Sequence, residues 1–162
     1  PAQDIHEWNI ENIYDNAVTR PEAKQKIFEW LYSHREDPKA EVHYNKSFVK
    51  EKYWDGTNVS TEFGRIIKGV DKHHALNYII QSTTSDLVLS KAVEIHERLQ
   101  KMESRIAFML HDSIVIDLNH EERHVIPELM DLFGTTRWGQ YKVNVALGKN
   151  FGDMKELNIN GA

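Results

Sequence analysis

A chain of 162 residues, 40% hydrophobic and 28% charged, suits one domain or two closely packed subdomains around a real core. It has no cysteine, no apolar run of membrane-spanning length and no signal-peptide pattern. Disulfides and thiolate metal sites are therefore excluded, and a cytoplasmic protein is the expectation. The net charge of −5 argues against a stand-alone, non-specific DNA coat, because such affinity comes from Lys and Arg displacing counterions.

No repeat, low-complexity tract or Pro/Gly-rich linker interrupts the chain. The first segment, DIHEWNIENIYDN, carries Ile5, Trp8, Ile10, Ile13 and Tyr14 at rough helical spacing. TRPEAKQKIFEWLYS follows. Thr19 and Glu22 make a Thr-x-x-Glu capping box, Pro21 sits in the first turn, and Ala23, Ile27, Trp30 and Leu31 form one apolar face. The pattern predicts a helix from about Arg20 to Tyr32.

REDPKAEVHYNKSFVKEKYW is polar and reads as a loop with a short helix around Lys46–Tyr53. Asp55-Gly56 marks a turn, and NVSTEFGRIIKGV predicts short extended segments turning at Gly64. A helical pattern then holds from about Lys72 to Met102, with a bend or break expected at the weakly helical STTS.

In FMLHDSIVID, Ile106, Phe108 and Leu110 alternate before the His111-Asp112 dyad, and Ile114, Ile116 and Leu118 alternate after it. The period of two predicts a tight hairpin with the dyad at its tip. Asn119 then caps a helix that ends at Phe133-Gly134, with Pro127 as a kink. A last strand, YKVNVALG, alternates Tyr141, Val143, Val145 and Leu147. The sum is an α+β chain, helix-rich with a small antiparallel sheet.

Opposite the apolar face of the capped helix run Arg20, Lys24, Phe28 and Tyr32. A spacing of four advances about 40° beyond each turn, so the four make a slowly spiralling stripe. Two cations and two rings suit a nucleoside triphosphate, although on spacing alone the stripe reads first as a solvated face.

Arg-x-x-x-Lys-x-x-x-Phe-x-x-x-Tyr resembles the B motif of family A DNA polymerases, and LHDSIVID resembles that family's C motif. ALNYIIQSTTSD is similar to the Asn-x-x-x-Gln helix before the C motif, QDIH to an Asp-Ile-His before the B motif, and VNVALGKNFGDMKEL to the last strand and C-terminal segment. The motifs cover nearly the whole chain in the family's order, and the overall flavour is phage-like.

The resemblance implies a fingers segment over residues 1–53 and a palm segment with a His-Asp hairpin over 54–162. It implies that His6, Arg20 and Lys24 contact an incoming dNTP, with Lys24 also donating a proton to the pyrophosphate. Phe28 would stack on sugar and base, and Tyr32 would lie near the templating base. Asn77, Gln81 and His111 would contact primer–template DNA, and Asp112 would ligate catalytic Mg²⁺. Outside that resemblance, His6 reads as a surface or capping histidine. Asn77 and Gln81 then read as ordinary polar helix residues and His73, His74, His120 and His124 as surface histidines, while Asp112, a carboxylate on a rigid turn, reads as a metal ligand first and as an ordinary turn residue second.

The departures matter as much. Ser113 stands where the family has Glu, Ser33 where it has Gly, and His73 where a basic residue precedes the Asn-Gln pair. The family's Asp-x-Ser-x-x-Glu motif, source of the second metal-bridging carboxylate, occurs nowhere in the 162 residues. Two-metal phosphoryl transfer needs both carboxylates. The expectation is thus one portion of a split or fragmented DNA polymerase. It would be inactive alone and completed by an N-terminal portion, with Pro1 as its natural start if a preceding Met is removed. A non-catalytic nucleic-acid-binding or assembly subunit is the alternative, and a metal phosphohydrolase built on the His-Asp dyad a third reading.

Overall fold

The computed structural model describes residues 4–33 and 35–157. Pro1 and Gln3, which enter the reading of the chain start and of QDIH, lie outside the described residues. Helices and short antiparallel ladders mix along the chain, an α+β composition, and the chain forms two compact units that divide between Leu87 and Val88.

The first unit is mainly helical. Asp4 caps α1 (Ile5–Asn12), its carboxylate accepting from the amides of His6 and Glu7. The second helix, α2, runs Arg20–Tyr32 as its capping pattern predicts. Glu22 reaches back to the Thr19 amide at 2.7 Å and its hydroxyl at 2.8 Å. Ala23, Ile27 and Trp30 are buried. Ile27 and Trp30 pack with Ile13 and Ala40, and Trp8, Tyr14, Leu31 and Tyr44 close around them.

The stretch expected to be a loop before Lys46 contains a further helix, α3 (Pro38–Tyr44). Asp37 caps it through the Ala40 amide, and Pro38 sits in its first turn, where a missing N–H costs nothing. Asn45 adopts φ 48°, ψ 56°, which ends α3, and its side chain then caps α4 (Lys46–Tyr53). β1 (Val59–Ser60) and β2 (Ile66–Ile67) form a short hairpin, as the turn at Gly64 predicts. Val59 joins Val70, Ala75 and Ile79 in a second core, where the Trp54 indole N–H donates to the Val70 carbonyl at 2.8 Å.

The helix expected over Lys72–Met102 is α5 (Ala75–Leu99), and it has no break at Ser82–Ser85. The Ser82 hydroxyl turns back to the Tyr78 carbonyl, and buried Ile79 and Val88 anchor the helix on either side. Packing overrides weak local propensity there.

The second unit centres on Ile95, Leu99, Val125 and Leu129. β3 (Arg105–Leu110) and β4 (Ser113–Asp117) form the hairpin, with His111-Asp112 as its two-residue turn. The alternation on β3 differs from expectation. A bulge between Ile106 and Phe108 moves the chain to the other face, so Ile106 packs against the core while Phe108 and Leu110 are 44% and 43% exposed. Asn119 caps a 3₁₀ turn (His120–Val125) rather than an α-helix. Pro127 then opens α6 (Ile126–Gly134) from its first turn instead of kinking it. β5 (Thr135–Thr136) pairs with β6 (Gly139–Gln140), and β7 (Val145–Leu147) with β8 (Lys155–Leu157). Of the expected strand YKVNVALG, Val145–Leu147 is the part paired among the described residues, with Lys155–Leu157 as its partner. The small antiparallel sheet is thus four separate two-stranded ladders among the described residues. No described helix is long and apolar enough to cross a membrane.

Candidate functional site

Five of the residues singled out in the sequence meet on one surface of the first unit. Burial of Ala23, Ile27 and Trp30 turns the opposite side of α2 outward, with Phe28 41% and Tyr32 47% exposed. Their rings stack at 6.0 Å with an interplanar angle of 12°. His6, on α1, places its ring 6.2 Å from Phe28, and the Lys24 ammonium lies 5.8 Å from the same ring. The stripe is therefore continuous from Lys24 to Tyr32, with an imidazole at its side. Cations at one end and a stacked pair of exposed rings at the other match, in general chemistry, an anionic ligand with a planar group.

The charges at the cationic end are partly compensated. The Arg20 guanidinium donates to the Asp4 carboxylate at 2.6 Å, and Glu7 lies 3.9 Å from it. That hydrogen bond, with those from the Glu7 and His6 amides, holds the Asp4 carboxyl down at about 2. Asp4 escaped the sequence reading as a site residue. Its position just before α1 signals a cap, but nothing in the pattern links it to a residue sixteen positions on. His6 is half-buried, and its enclosed Nδ1 has no hydrogen-bond partner among the described residues. Burial lowers its pKa, and nearby Arg20 and Lys24 lower it further, against the opposing charge of Asp4.

Asn77 and Gln81 form a pair one turn apart on α5, the Gln81 amide donating to the Asn77 side-chain oxygen at 2.9 Å. Each retains hydrogen-bonding groups for a partner, since a primary amide carries two donors and an acceptor with two lone pairs. His73 donates its backbone N–H to Asp71 at 2.8 Å, and His74 pairs with Asp71 through Nδ1 at 2.7 Å. The His74 bond is the main reason the Asp71 carboxyl sits near 2.

His111 and Asp112 belong to the second unit and lie exposed at the hairpin tip. His111 has φ 51°, a left-handed conformation rare for residues other than glycine. Ser113 spends its hydroxyl on the hairpin itself, donating to the Leu110 carbonyl at 2.7 Å. His120 lies 3.6 Å from Glu121, and the Nδ1 of His124 is 3.3 Å from the Glu121 carbonyl. Among the described residues no three His, Asp or Glu side chains gather closely enough to hold a metal ion. Asp112 can offer one carboxylate to magnesium, but the described residues do not provide the ligand set for a metal pair.

Ser33 occupies ordinary extended backbone at φ −115°, so the end of α2 does not require glycine. Its amide donates to the Glu29 carbonyl at 2.9 Å and completes the last turn. No protein-family model matches the chain, and no curated protein is significantly similar to it.

Proposed function

We propose that the chain is the C-terminal fingers-and-palm portion of a phage-like family A DNA polymerase. Its reaction is template-directed nucleotidyl transfer, in which a primer 3′-hydroxyl attacks the α-phosphate of a dNTP and releases pyrophosphate. The observation that carries the reading is the surface on α2 and α1, where His6, Lys24, Phe28 and Tyr32 are neighbours through their rings and the Lys24 ammonium, with Arg20 one helical turn before Lys24. The cations neutralise the triphosphate, and the stacked rings pack against sugar and base. Asn77, Gln81 and His111 position DNA. Asp112 supplies one of two carboxylates for Mg²⁺, and a partner portion bearing Asp-x-Ser-x-x-Glu supplies the other. This chain alone does not extend a primer.

The test is dNTP binding by the chain and by Lys24→Ala. A charge-assisted contact is worth ~1.5–3 kcal/mol, so the variant should bind at least about tenfold more weakly. Equal affinity would end the assignment of Lys24. In the native source, a co-purifying chain with the missing motif should restore extension.

A single carboxylate at the hairpin tip favours a second reading, a non-catalytic subunit that binds nucleic acid through the same fold. Primer–template binding with no partner able to restore extension would select it.

A further inference from the structure

We propose that Asp4 is an internal competitor for Arg20, an acidic latch that an anionic ligand must displace to reach the guanidinium. The proposal rests on the reading of the α2 stripe as a polyphosphate site, and it adds a regulating residue to that site.

Three observations carry it. First, the two oxygens of the Asp4 carboxylate serve different elements. One accepts from the His6 and Glu7 amides at 2.9 and 3.2 Å and so caps α1, while the other accepts from Arg20 at 2.6 Å. The latch can therefore open without uncapping the helix. Second, the positive charge at this end of the stripe is partly compensated, and the compensation falls on Arg20. Besides Asp4, Glu7 on α1 stands 3.9 Å from the Arg20 guanidinium. Third, Asp4 closes on Arg20 but has no ion pair with Lys24, which lies 5.8 Å from the Phe28 ring and close enough to His6 to act on its charge.

A ligand that touches Lys24 alone meets no competitor. One that spans Lys24 and Arg20 must break a charge-assisted hydrogen bond, and only a multiply charged anion recovers that loss through both cations. The latch thus favours a triphosphate over singly charged anions that would otherwise collect on Arg20.

The experiment is calorimetric titration of the full chain with inorganic triphosphate, using Asp4→Asn, Arg20→Gln, Lys24→Gln and the Asp4→Asn/Arg20→Gln double variant. Asn is as good an N-cap as Asp, so α1 should persist, and Asp4→Ser provides a second capped variant. An exposed ion pair is modest, so Asp4→Asn should tighten binding about two- to fivefold. In the Arg20→Gln background the same change should have no effect.

If Lys24→Gln and Arg20→Gln leave affinity unchanged, the polyphosphate reading falls and the latch with it. If they weaken binding while Asp4→Asn and Asp4→Ser match the wild type, only the latch falls. A gain from Asp4→Asn that persists without Arg20 would overturn it too, because the effect would then be simple repulsion of the ligand. Binding detectable only after Asp4→Asn would support the latch, and none in any variant would end both ideas.

Discussion

Lys46 closes the end of α2 through Trp30: its ammonium donates to the Trp30 carbonyl at 2.6 Å and stands 4.6 Å from the centre of the Trp30 ring. The last carbonyls of a helix lack intrahelical donors, and a cation is the favoured partner at that end. Lys46→Met keeps the aliphatic stem and removes both interactions. It should cost about 1–2 kcal/mol, read as a lower denaturant midpoint at unchanged m-value.

Ser104 is 1% exposed and ties the start of β3 to the 3₁₀ turn. Its hydroxyl donates to Glu122 at 2.5 Å and accepts from the Asn119 amide at 2.9 Å, while its own amide donates to Glu122 at 2.8 Å. The bonds from the Ser104 hydroxyl and from the Glu103 and Ser104 amides hold the Glu122 carboxyl below its usual range. Ser104→Ala leaves the Asn119 amide without that acceptor and should cost about 1–3 kcal/mol. Equilibrium unfolding of the variant measures this; a loss under about 0.5 kcal/mol would show that water replaces the hydroxyl.

His6 gives a pH dependence of defined sign. Folded, it binds a proton less readily than the free imidazole, chiefly because it is partly buried. Between its folded midpoint and the ordinary value of about 6.5, the unfolded chain holds more protons. Its contribution to stability is therefore intact above about 6.5 and falls as pH drops through that window. An NMR titration should place the His6 midpoint below 6.5, and His6→Gln should flatten that part of the stability profile. If triphosphate binds at this surface, it should raise the same midpoint.

Gly134 ends α6 in tight quarters. A Cβ there would lie 2.7 Å from the Tyr141 carbonyl oxygen and 2.9 Å from the Gln140 side-chain nitrogen. Helix propensity alone favours Ala by up to about 1 kcal/mol. Steric conflict with backbone should win, and Gly134→Ala should destabilise by about 1–3 kcal/mol in urea unfolding. A neutral or stabilising result would mean that the Tyr141 segment moves aside at little cost.

Local signals carried far where they were chemical. Thr19, Glu22 and Pro21 set the start of α2, and Asp55-Gly56 and Gly64 marked real turns. Asp37 and Pro38 signalled α3 in the same way, but the polar sequence after them hid a helix whose buried contact is Ala40. The bulge before Phe108 was illegible, because period-two alternation looks the same whether or not one residue slips out of register. Extent in the C-terminal strands depends on the partner strand, which alternation does not report. The α2 stripe was readable from spacing, whereas the Asp4–Arg20 pair joins sequence-distant residues and needed the fold.

The left-handed backbone at His111 sets comfort against chemistry. Glycine holds a φ of 51° freely, while an L side chain there costs on the order of 1 kcal/mol. On the proposed reading of His111 as a DNA contact, the ring is what the position retains at that cost. Exchanging His111 for Gly should leave the melting temperature unchanged or higher while removing whatever the ring does for a ligand. Robustness and activity would then pull in opposite directions at one residue, and selecting variants of this chain for heat resistance alone would tend to erase it.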